Sequence, residues 1–235
     1  MIFAAIVAGG LGLRMGLTDI PKQFMCLAEK PIIIHTIEKF LVCSDFDYIY
    51  VGIHKDWKLY LKDILKKFNL ENKKIVLVNG GKDRNLTIMN IIDAIEKDFP
   101  KCKDAKNIIV THDAVRPFVA LRIIEENIKA AQEFDACDTV VSSYDTVIRS
   151  NKDKTMIEEV PEREFMFLGQ TPQSFNMGKL KEFYSNLSDE DKKSLTDACK
   201  IFSLNNHPVK IVIGEFSNIK ITNLNDLKIA NVLVT

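Results

Sequence analysis

The arrangement of apolar segments constrains the fold more than any other feature of this sequence. Residues 2–7 are six consecutive apolar residues, which predicts a strand that is buried on both faces. Residues 86–99 instead carry apolar side chains at helical spacing, such as Ile88, Ile91 and Ile95. Because such segments alternate over the first two thirds of the chain, we expect an α/β fold with an open, mostly parallel sheet and helices on both faces.

The same patterns predict the other elements, with a change of rhythm after residue 144. Predicted strands cover residues 2–7, 48–53, 74–78, 107–111, 139–143 and 209–213, and predicted helices cover residues 31–41, 57–68, 86–99, 122–134, 179–186 and 224–233, with one more beginning near Ser188. Residues 147–149 and 156–160 predict a hairpin across a polar turn. We therefore expect a single domain over residues 1–235 with a projecting arm at about residues 144–175.

Composition excludes several classes of protein. The 235 residues include 32 Lys and Arg against 32 Asp and Glu, and a net charge of +0 argues against binding of nucleic acid through the overall field. The five cysteines form no CxxC pair and the four histidines show no zinc-ligand spacing. Without a signal-peptide pattern, or an apolar run near the roughly 18 residues of a membrane span, we expect a cytoplasmic protein with no membrane contact.

A glycine-rich loop follows the first predicted strand. Glycines at positions 9, 10 and 12 let backbone N–H groups approach phosphate oxygens without interference from Cβ atoms. Met15 interrupts the GxGxxG pattern, and GxxxxGK[ST] is absent. Arg14 in this loop and Lys22 after it would supply two cations to a polyphosphate. The alternatives are that the glycine-rich loop is a plain turn and that Lys22 is a solvated surface lysine.

A second loop, residues 80–85, precedes the most periodic helix. Free N–H groups at the helix start, together with Lys82 and Arg84, would bind phosphate or ribose oxygens, and Thr87 lies in the first turn. The alternative is a polar connection in which Asn85 caps the helix.

A third loop, residues 111–117, follows the fourth predicted strand. Asp113 with Arg116 nearby suits a hard metal ion or a substrate hydroxyl, and the alternative is an ion pair between these two residues. We interpret His112 as a structural residue at the strand end.

Six segments in order resemble one known family. They are A-G-G-x-G-x-R-M, P-K-Q-F, G-G-x-D-R-N, H-D-A-V-R-P-F, G-Q-T-P-Q-S-F and N-I-K-I-T. Together they resemble the cytidylyltransferases of polyol phosphates, which include the enzymes for 2-C-methylerythritol 4-phosphate and for ribitol 5-phosphate, and the resemblance runs from residue 2 to about residue 229. Residues 19–24, 83–85 and 195–200 are closer to the ribitol-phosphate branch.

The resemblance implies a Rossmann-like fold and a transfer of CMP from CTP to ribitol 5-phosphate, giving CDP-ribitol and pyrophosphate with Mg²⁺ present. The nucleophile would be the acceptor's phosphate, which is largely ionised at pH 7 because its second pKa is about 6, so no general base is needed. The alternatives are 2-C-methylerythritol 4-phosphate as acceptor, a noncatalytic nucleotide-binding module, and a sugar-1-phosphate nucleotidylyltransferase that prefers UTP or GTP.

The resemblance also implies roles for particular residues. Those expected to act on the reacting phosphates are Arg14, Lys22, Lys220 and Arg163. Those expected to bind CTP are Val7, Ala8, Gly9, Gly10, Gly80, Gly81, Lys82, Asp83, Arg84, Asn85 and Thr87. Those expected to bind the acceptor are Asp113, Arg116, Thr146, Thr171 and Thr196, with Asp113 also the expected Mg²⁺ ligand. A homodimer with exchanged arms is implied, in which Arg163 serves the neighbouring subunit, and a reductase that forms the polyol phosphate is a candidate partner.

Overall fold

The computed structural model describes residues 1–10, 20–101 and 106–234. Its strands are β1 (Ile2–Ala8), β2 (Cys26–Leu27), β3 (Lys30–Pro31), β4 (Tyr48–Ile53), β5 (Ile75–Asn79), β6 (Ile108–Asp113), β7 (Ala136–Ser142), β8 (Arg149–Ser150), β9 (Ile157–Glu159), β10 (Phe167–Asn176) and β11 (Lys210–Ile213). Its helices are α1 (Ile32–Val42), α2 (Lys58–Lys67), α3 (Arg84–Asp98), α4 (Leu121–Phe134), α5 (Met177–Asn186), α6 (Asp189–Ser194), α7 (Cys199–Leu204) and α8 (Leu224–Val234).

Seven strands form one mixed sheet in the order β11-β7-β10-β6-β1-β4-β5. The pairs of β1 with β4 and β6, of β4 with β5, and of β7 with β11 are parallel, whereas β10 runs antiparallel to both β6 and β7. The predicted α/β class with an open, mostly parallel sheet is confirmed. The carboxyl ends of β1 and β6 therefore lie side by side at one edge of the sheet, where ligands of such folds bind.

Two apolar clusters cover the two faces of the sheet. Alternate residues of β1 enter opposite clusters: Ala4 and Ile6 pack with α1, α2 and α4, and Phe3 and Ala5 pack with α3, α5 and α7. This two-sided burial explains why β1 is a continuous apolar segment.

Residues 167–176, most of which the arm predicted at about residues 144–175 includes, do not project from the sheet. They form β10 and lie between β6 and β7 in the sheet. This strand carries Gly169, Gln170, Thr171 and Gln173 instead of an apolar alternation, so its sequence does not show a strand pattern. Its polar groups are paired instead, for example through Thr111 Oγ1, which donates to Gln173 O at 3.0 Å.

The projecting hairpin lies within the predicted arm, where β8 and β9 pair antiparallel apart from the main sheet. The helix expected from Ser188 is two short helices, α6 and α7, and Ser188 caps α6 by accepting a hydrogen bond from Asp191 N at 3.0 Å. Dimerisation through the arm stays a prediction.

A buried asparagine connects α4 to the antiparallel strand pair. Asn127 Nδ2 donates to Ile123 O at 2.9 Å and to Thr139 Oγ1 at 2.8 Å, and its Oδ1 accepts from Ser174 Oγ at 3.2 Å. Thr139 Oγ1 in turn donates to Pro172 O at 2.7 Å. One buried side chain thus satisfies polar groups of α4, β7 and β10.

We predict that Asn127→Leu lowers the free energy of unfolding by about 2–3 kcal/mol, because it leaves the buried Ser174 hydroxyl without an acceptor and removes the donor to Thr139 Oγ1. Chemical denaturation followed by circular dichroism measures this. Asn231→Leu is the matched control, since Asn231 makes the same bond to the carbonyl four residues earlier (2.9 Å to Leu227 O) but is exposed. Equal effects of the two substitutions would contradict the role given to the buried asparagine.

Candidate active site

The two glycine loops meet at the carboxyl ends of β1 and β5. A Cβ at position 9 would stand 2.8 Å from Thr87 Oγ1, so glycine is required there for the loops to approach each other. Gln23 Nε2 donates to Ala8 O at 2.9 Å and to Gly10 O at 3.1 Å, which fixes the backbone of the first loop. Arg14 lies outside the described residues, so its predicted role is not placed by the structure.

The second loop is shaped by the start of α3. Asp83 caps the helix by accepting from Leu86 N at 2.8 Å, so the expectation that Asn85 is the cap is wrong. Thr87 Oγ1 accepts from Gly81 N at 2.9 Å and donates to Asp83 O at 2.8 Å. Asn85 is instead buried, because position 85 falls inside the first helical turn.

Between these loops lies a cavity of about 190 Å³, here called the glycine-loop cavity. Nine of the eleven residues predicted to bind CTP line it, and Gly80 and Asn85 do not. The residues that line it are Val7, Ala8, Gly9, Gly10, Lys22, Gln23, Gly81, Lys82, Asp83, Arg84, Thr87, Asp113, Ala114, Val115 and Lys220. Lys22 and Lys220 were predicted from the sequence to belong to this site, whereas Gln23 was given no role there.

A neighbouring cavity of about 160 Å³ opens beside the start of β10 and is here called the β10 cavity. The residues that line it are Arg84, Asp113, Arg116, Gly169, Gln170, Thr171, Gln173, Thr196, Asp197 and Lys220. Four of the five residues predicted to bind the acceptor are among them. The two cavities share Arg84, Asp113 and Lys220, so these three residues mark the place where they meet.

Asp113 holds three cations at this junction. Its Oδ1 lies 3.0 Å from Arg84 Nε, and its Oδ2 lies 2.7 Å from Lys220 Nζ and 3.8 Å from Arg116 Nε. Burial alone would raise the pKa of the Asp113 carboxyl, but the charges of Arg84, Lys220 and Arg116 and the Lys220 hydrogen bond outweigh burial and hold that pKa well below its ordinary value. The expected Asp113–Arg116 pair is therefore one part of a larger cluster.

This cluster does not fit a protein-held magnesium ion. Both carboxylate oxygens of Asp113 already face cations, and the described residues contain no group of three or more His, Cys, Asp or Glu that could hold a metal. A metal ligand needs oxygens that are free to coordinate. The assignment of Asp113 as a Mg²⁺ ligand is thus not supported by the geometry, and a requirement for Mg²⁺ in the reaction stays a prediction.

Several donors at the junction have no hydrogen-bond partner in the described part of the chain. They are Nη1 and Nη2 of Arg84 and Nε of Arg116, all buried. Buried donors without partners cost folding free energy unless a ligand satisfies them. Guanidinium groups bind phosphate and carboxylate oxygens best, so the junction is suited to an anion.

Buried hydrogen bonds through His112 fix the turn that carries Asp113 and Arg116. His112 Nε2 donates to Arg116 O at 3.0 Å, so Nδ1 must accept, and it accepts from Thr171 Oγ1 at 3.0 Å. Thr171 Oγ1 accepts in turn from Asp113 N at 3.2 Å. Burial lowers the pKa of His112 to about 4, so the ring is neutral near pH 7, in agreement with the structural role we expected.

Asn218 supports Arg116 and Lys220 from the other side. Arg116 Nη1 donates to Asn218 O at 2.7 Å, and Asn218 Nδ2 donates to Thr171 O at 2.8 Å. Ile221 N donates to Val115 O at 2.9 Å, which places Lys220 over the turn after β6. Residues 218–221, which are distant from β6 in the sequence, are therefore fixed against β6 and β10.

Two predicted site residues lie away from both cavities within this chain. Thr146 and Arg163 are residues of the arm that line neither cavity, and Arg163 Nη1 donates to Tyr144 O at 3.2 Å. Of the described residues, the exposed large apolar side chains of the arm are Tyr144, Ile148, Met156, Ile157, Val160, Phe165, Phe167 and Leu168.

Comparison with known proteins gives consistent matches over the whole chain. The family model for IspD, 2-C-methyl-D-erythritol 4-phosphate cytidylyltransferase, matches residues 2–235. The 4-diphosphocytidyl-2C-methyl-D-erythritol synthase of Anaerococcus prevotii DSM 20548 is 28% identical with a TM-score of 0.82, over 100% of this chain and 96% of that one.

Two further solved structures are similar. The 2-C-methyl-D-erythritol 4-phosphate cytidylyltransferase of Francisella tularensis is 28% identical with a TM-score of 0.78, over 98% of both chains. That of Thermus thermophilus is 23% identical with a TM-score of 0.73, over 99% of this chain and 98% of that one, and supports the fold alone.

In the described part of this chain, no helix combines the length and apolar character that crossing a membrane requires.

We predict that the contribution of His112 to the free energy of unfolding falls as the pH drops from 6.5 to 4, because unfolded His112 binds a proton in that range and folded His112, with its pKa of about 4, does not. The loss from this residue amounts to about 3 kcal/mol at pH 4. Asp138, whose pKa is raised to about 6, acts in the opposite direction over part of this range.

Denaturant titrations of the wild type and of His112→Asn at several pH values isolate the contribution of His112 to the free energy of unfolding, because both proteins contain Asp138. The variant is expected to be less stable than the wild type at pH 7, and this difference in the free energy of unfolding should shrink as the pH drops from 6.5 to 4. Parallel pH profiles would show that His112 does not titrate as described.

Proposed function

The chain belongs to the IspD family of 2-C-methyl-D-erythritol 4-phosphate cytidylyltransferases, and from this membership we propose that it transfers the CMP group of CTP to a polyol phosphate and releases pyrophosphate. The observation that carries this proposal is the junction of the two cavities at Arg84, Asp113 and Lys220. A transfer between two bound molecules needs two adjoining sites with cations between them.

In the proposed reaction, an oxygen of the acceptor's phosphate attacks the α-phosphorus of CTP. The new P–O bond forms as the bond from the α-phosphorus to the bridging oxygen breaks, and pyrophosphate leaves with that electron pair. Negative charge grows on the transferred group and on the leaving group, so Lys22, Arg84 and Lys220 act by stabilising charge.

No side chain has to remove a proton in this scheme. The phosphate of the acceptor is largely ionised at neutral pH because its second pKa is about 6. His112 is buried, and both ring nitrogens bond within the turn that carries Asp113. The catalytic power proposed here comes from orientation and charge, to which Asp113 contributes by holding the cations in place.

The comparisons favour 2-C-methyl-D-erythritol 4-phosphate as the acceptor, since the family model and the 28% identical structures carry that name. Ribitol 5-phosphate, the acceptor expected from the sequence, is the second candidate. The composition of the β10 cavity favours it, because the described residues that line this cavity include no aliphatic or aromatic side chain to contact a methyl branch.

We further propose that two copies of the chain exchange arms. Eight large apolar side chains of residues 144–168 are exposed in the single chain, and two of them, Tyr144 and Met156, are each 73% exposed. An apolar surface of this kind is typical of a protein interface. In such a dimer Thr146 and Arg163, which lie away from the cavities of their own chain, would serve the partner's acceptor.

A matrix of substrates tests the reaction. We expect pyrophosphate release with CTP, and much less with ATP, GTP or UTP, when 2-C-methylerythritol 4-phosphate, ribitol 5-phosphate or ribulose 5-phosphate is offered. Lys220→Ala is expected to lower kcat by a factor on the order of 10²–10³, as for a lost donor in an oxyanion site.

Lys228→Ala is the matched control, since Lys228 is a lysine of the nearby helix α8 that lines neither cavity. Absence of pyrophosphate release with every pair, or full activity of Lys220→Ala, would contradict the proposed function.

A second experiment tests the arm. Arg163→Ala is expected to raise the KM for the acceptor at least about tenfold and to leave the KM for CTP unchanged, because a charge-assisted contact to the acceptor is lost. Arg149→Ala, which removes an exposed arginine elsewhere on the arm, serves as control. Sedimentation of the wild-type protein should show a dimer. A fully active wild-type protein that sediments as a monomer would exclude exchange of arms.

A further inference from the structure

One wall of the β10 cavity gathers hydrogen-bond acceptors. Gln173 lines this cavity with 1% of its surface exposed, and its Nε2 donates to Asp138 Oδ1 at 3.0 Å. This bond orients the amide so that Oε1 is left over, and within the described residues Oε1 is buried without a hydrogen-bond partner. Asp197 lines the same cavity and adds a carboxylate.

Asp138 borders the cavity at Gly169. Gly169 lines the cavity, and a Cβ placed on it would stand 3.8 Å from Asp138 Oδ2. Because glycine has no side chain, position 169 leaves this carboxylate oxygen uncovered. Asp138 therefore lies behind the wall formed by Gln173 and Gly169: it is held by hydrogen bonds from Gln173 and from the Cys199 thiol, and its Oδ2 faces the position that a side chain at residue 169 would fill.

The surroundings of Asp138 are unfavourable for a charge. Burial raises the pKa of Asp138 to about 6 and the charge of Asp197 adds to the rise, whereas hydrogen bonds from Gln173 and from the Cys199 thiol and the charge of Arg84 lower it. An ionised carboxylate in such a place destabilises the folded chain at neutral pH. A residue retained at a cost to folding beside a cavity is a candidate for a functional role.

The two ends of the β10 cavity call for different parts of one ligand. At the junction, the unpartnered nitrogens of Arg84 and Arg116 are donors and suit a phosphate. At the opposite wall, Gln173 Oε1 and the carboxylates of Asp138 and Asp197 are acceptors, which an ionised phosphate cannot satisfy. Hydroxyl groups can, because each supplies a hydrogen.

We propose that Asp138 and Gln173 bind hydroxyl groups on the carbon chain of the acceptor, and that Asp138 is a specificity-determining residue of the enzyme. This inference rests on the proposed transfer of CMP to a polyol phosphate. A methyl group placed against this wall would leave Gln173 Oε1 unpaired and would give Asp138 Oδ2 no further donor, so the wall favours a chain with hydroxyls on consecutive carbons over a methyl-branched one.

The test compares two acceptors that differ in this respect, ribitol 5-phosphate and 2-C-methylerythritol 4-phosphate, at saturating CTP. For Asp138→Val we expect the ratio of kcat/KM for ribitol 5-phosphate to that for 2-C-methylerythritol 4-phosphate to fall at least about tenfold relative to the wild type. The KM for CTP should not change. Asp138→Asn keeps one acceptor oxygen and should restore part of the ratio.

Thermal unfolding separates this role from a merely structural one. If Asp138 were kept for the fold, Asp138→Asn would lower the Tm at pH 7.5, whereas removal of an unfavourable buried charge should leave the Tm equal or higher. Asp63→Asn, at an exposed aspartate of α2, is the matched control for both measurements. Gly169→Ala replaces Asp138→Val if the latter does not fold, since its methyl group would cover Oδ2 and should shift the acceptor ratio in the same direction.

An unchanged ratio in folded Asp138→Val, or equal changes in the KM values for CTP and for both acceptors, would overturn the inference and leave the proposed function standing. If the wild type releases no pyrophosphate with either acceptor, the proposed function fails first. Calorimetric binding of the two polyol phosphates, in the presence of CTP, to the wild type and Asp138→Val then decides the role of the wall. Equal affinities in both proteins would refute it.

Discussion

The attraction of one buried carboxylate for three cations organises the site. Arg84 begins α3, Arg116 follows β6 and Lys220 precedes α8, so the three come from distant parts of the chain. Three positive charges brought this close repel one another strongly where water is scarce. Asp113 offsets that repulsion, and because it ends a central strand, its position is set by the sheet. The cations are therefore fixed relative to both cavities before any substrate arrives.

Side-chain amides complete this arrangement by fixing backbone that has no regular structure. Gln23 Nε2 donates to the carbonyls on both sides of Gly9, and Asn218 Nδ2 donates to Thr171 O while the main-chain carbonyl of Asn218 accepts from Arg116. Each side-chain amide satisfies carbonyl groups that would otherwise be buried without partners. These hydrogen bonds stabilise the loops in the same way that a capping residue stabilises the end of a helix. The loops are therefore already ordered in the protein without substrate.

Sequence reasoning located what depends on local pattern and missed what depends on contacts across the chain. The apolar run of β1 and the helical spacing of α3 predicted both elements, and the glycines with Lys22 and Lys82 predicted most of the glycine-loop cavity, to which the resemblance to a known family added Lys220. β10 was not predicted because most of its buried side chains are polar, and its hydrogen bonds to side chains of β6, β7 and α4 leave no trace in the local sequence pattern. The roles of Gln173 and Asp138 likewise depend on strand register, which brings residue 173 opposite residue 138.

Because β10 runs opposite to β6, the arm leads directly into the strand that lines the β10 cavity. Its neighbour β6 delivers its carboxyl end to the ligand edge of the sheet, whereas β10 delivers its amino end, directly after the arm. One residue, Gly169, separates the exposed Leu168 from Gln170 in the cavity lining. In an arm-exchanged dimer, the residues that the partner contacts would therefore be joined to the acceptor-side wall of the cavity by a short stretch of one strand.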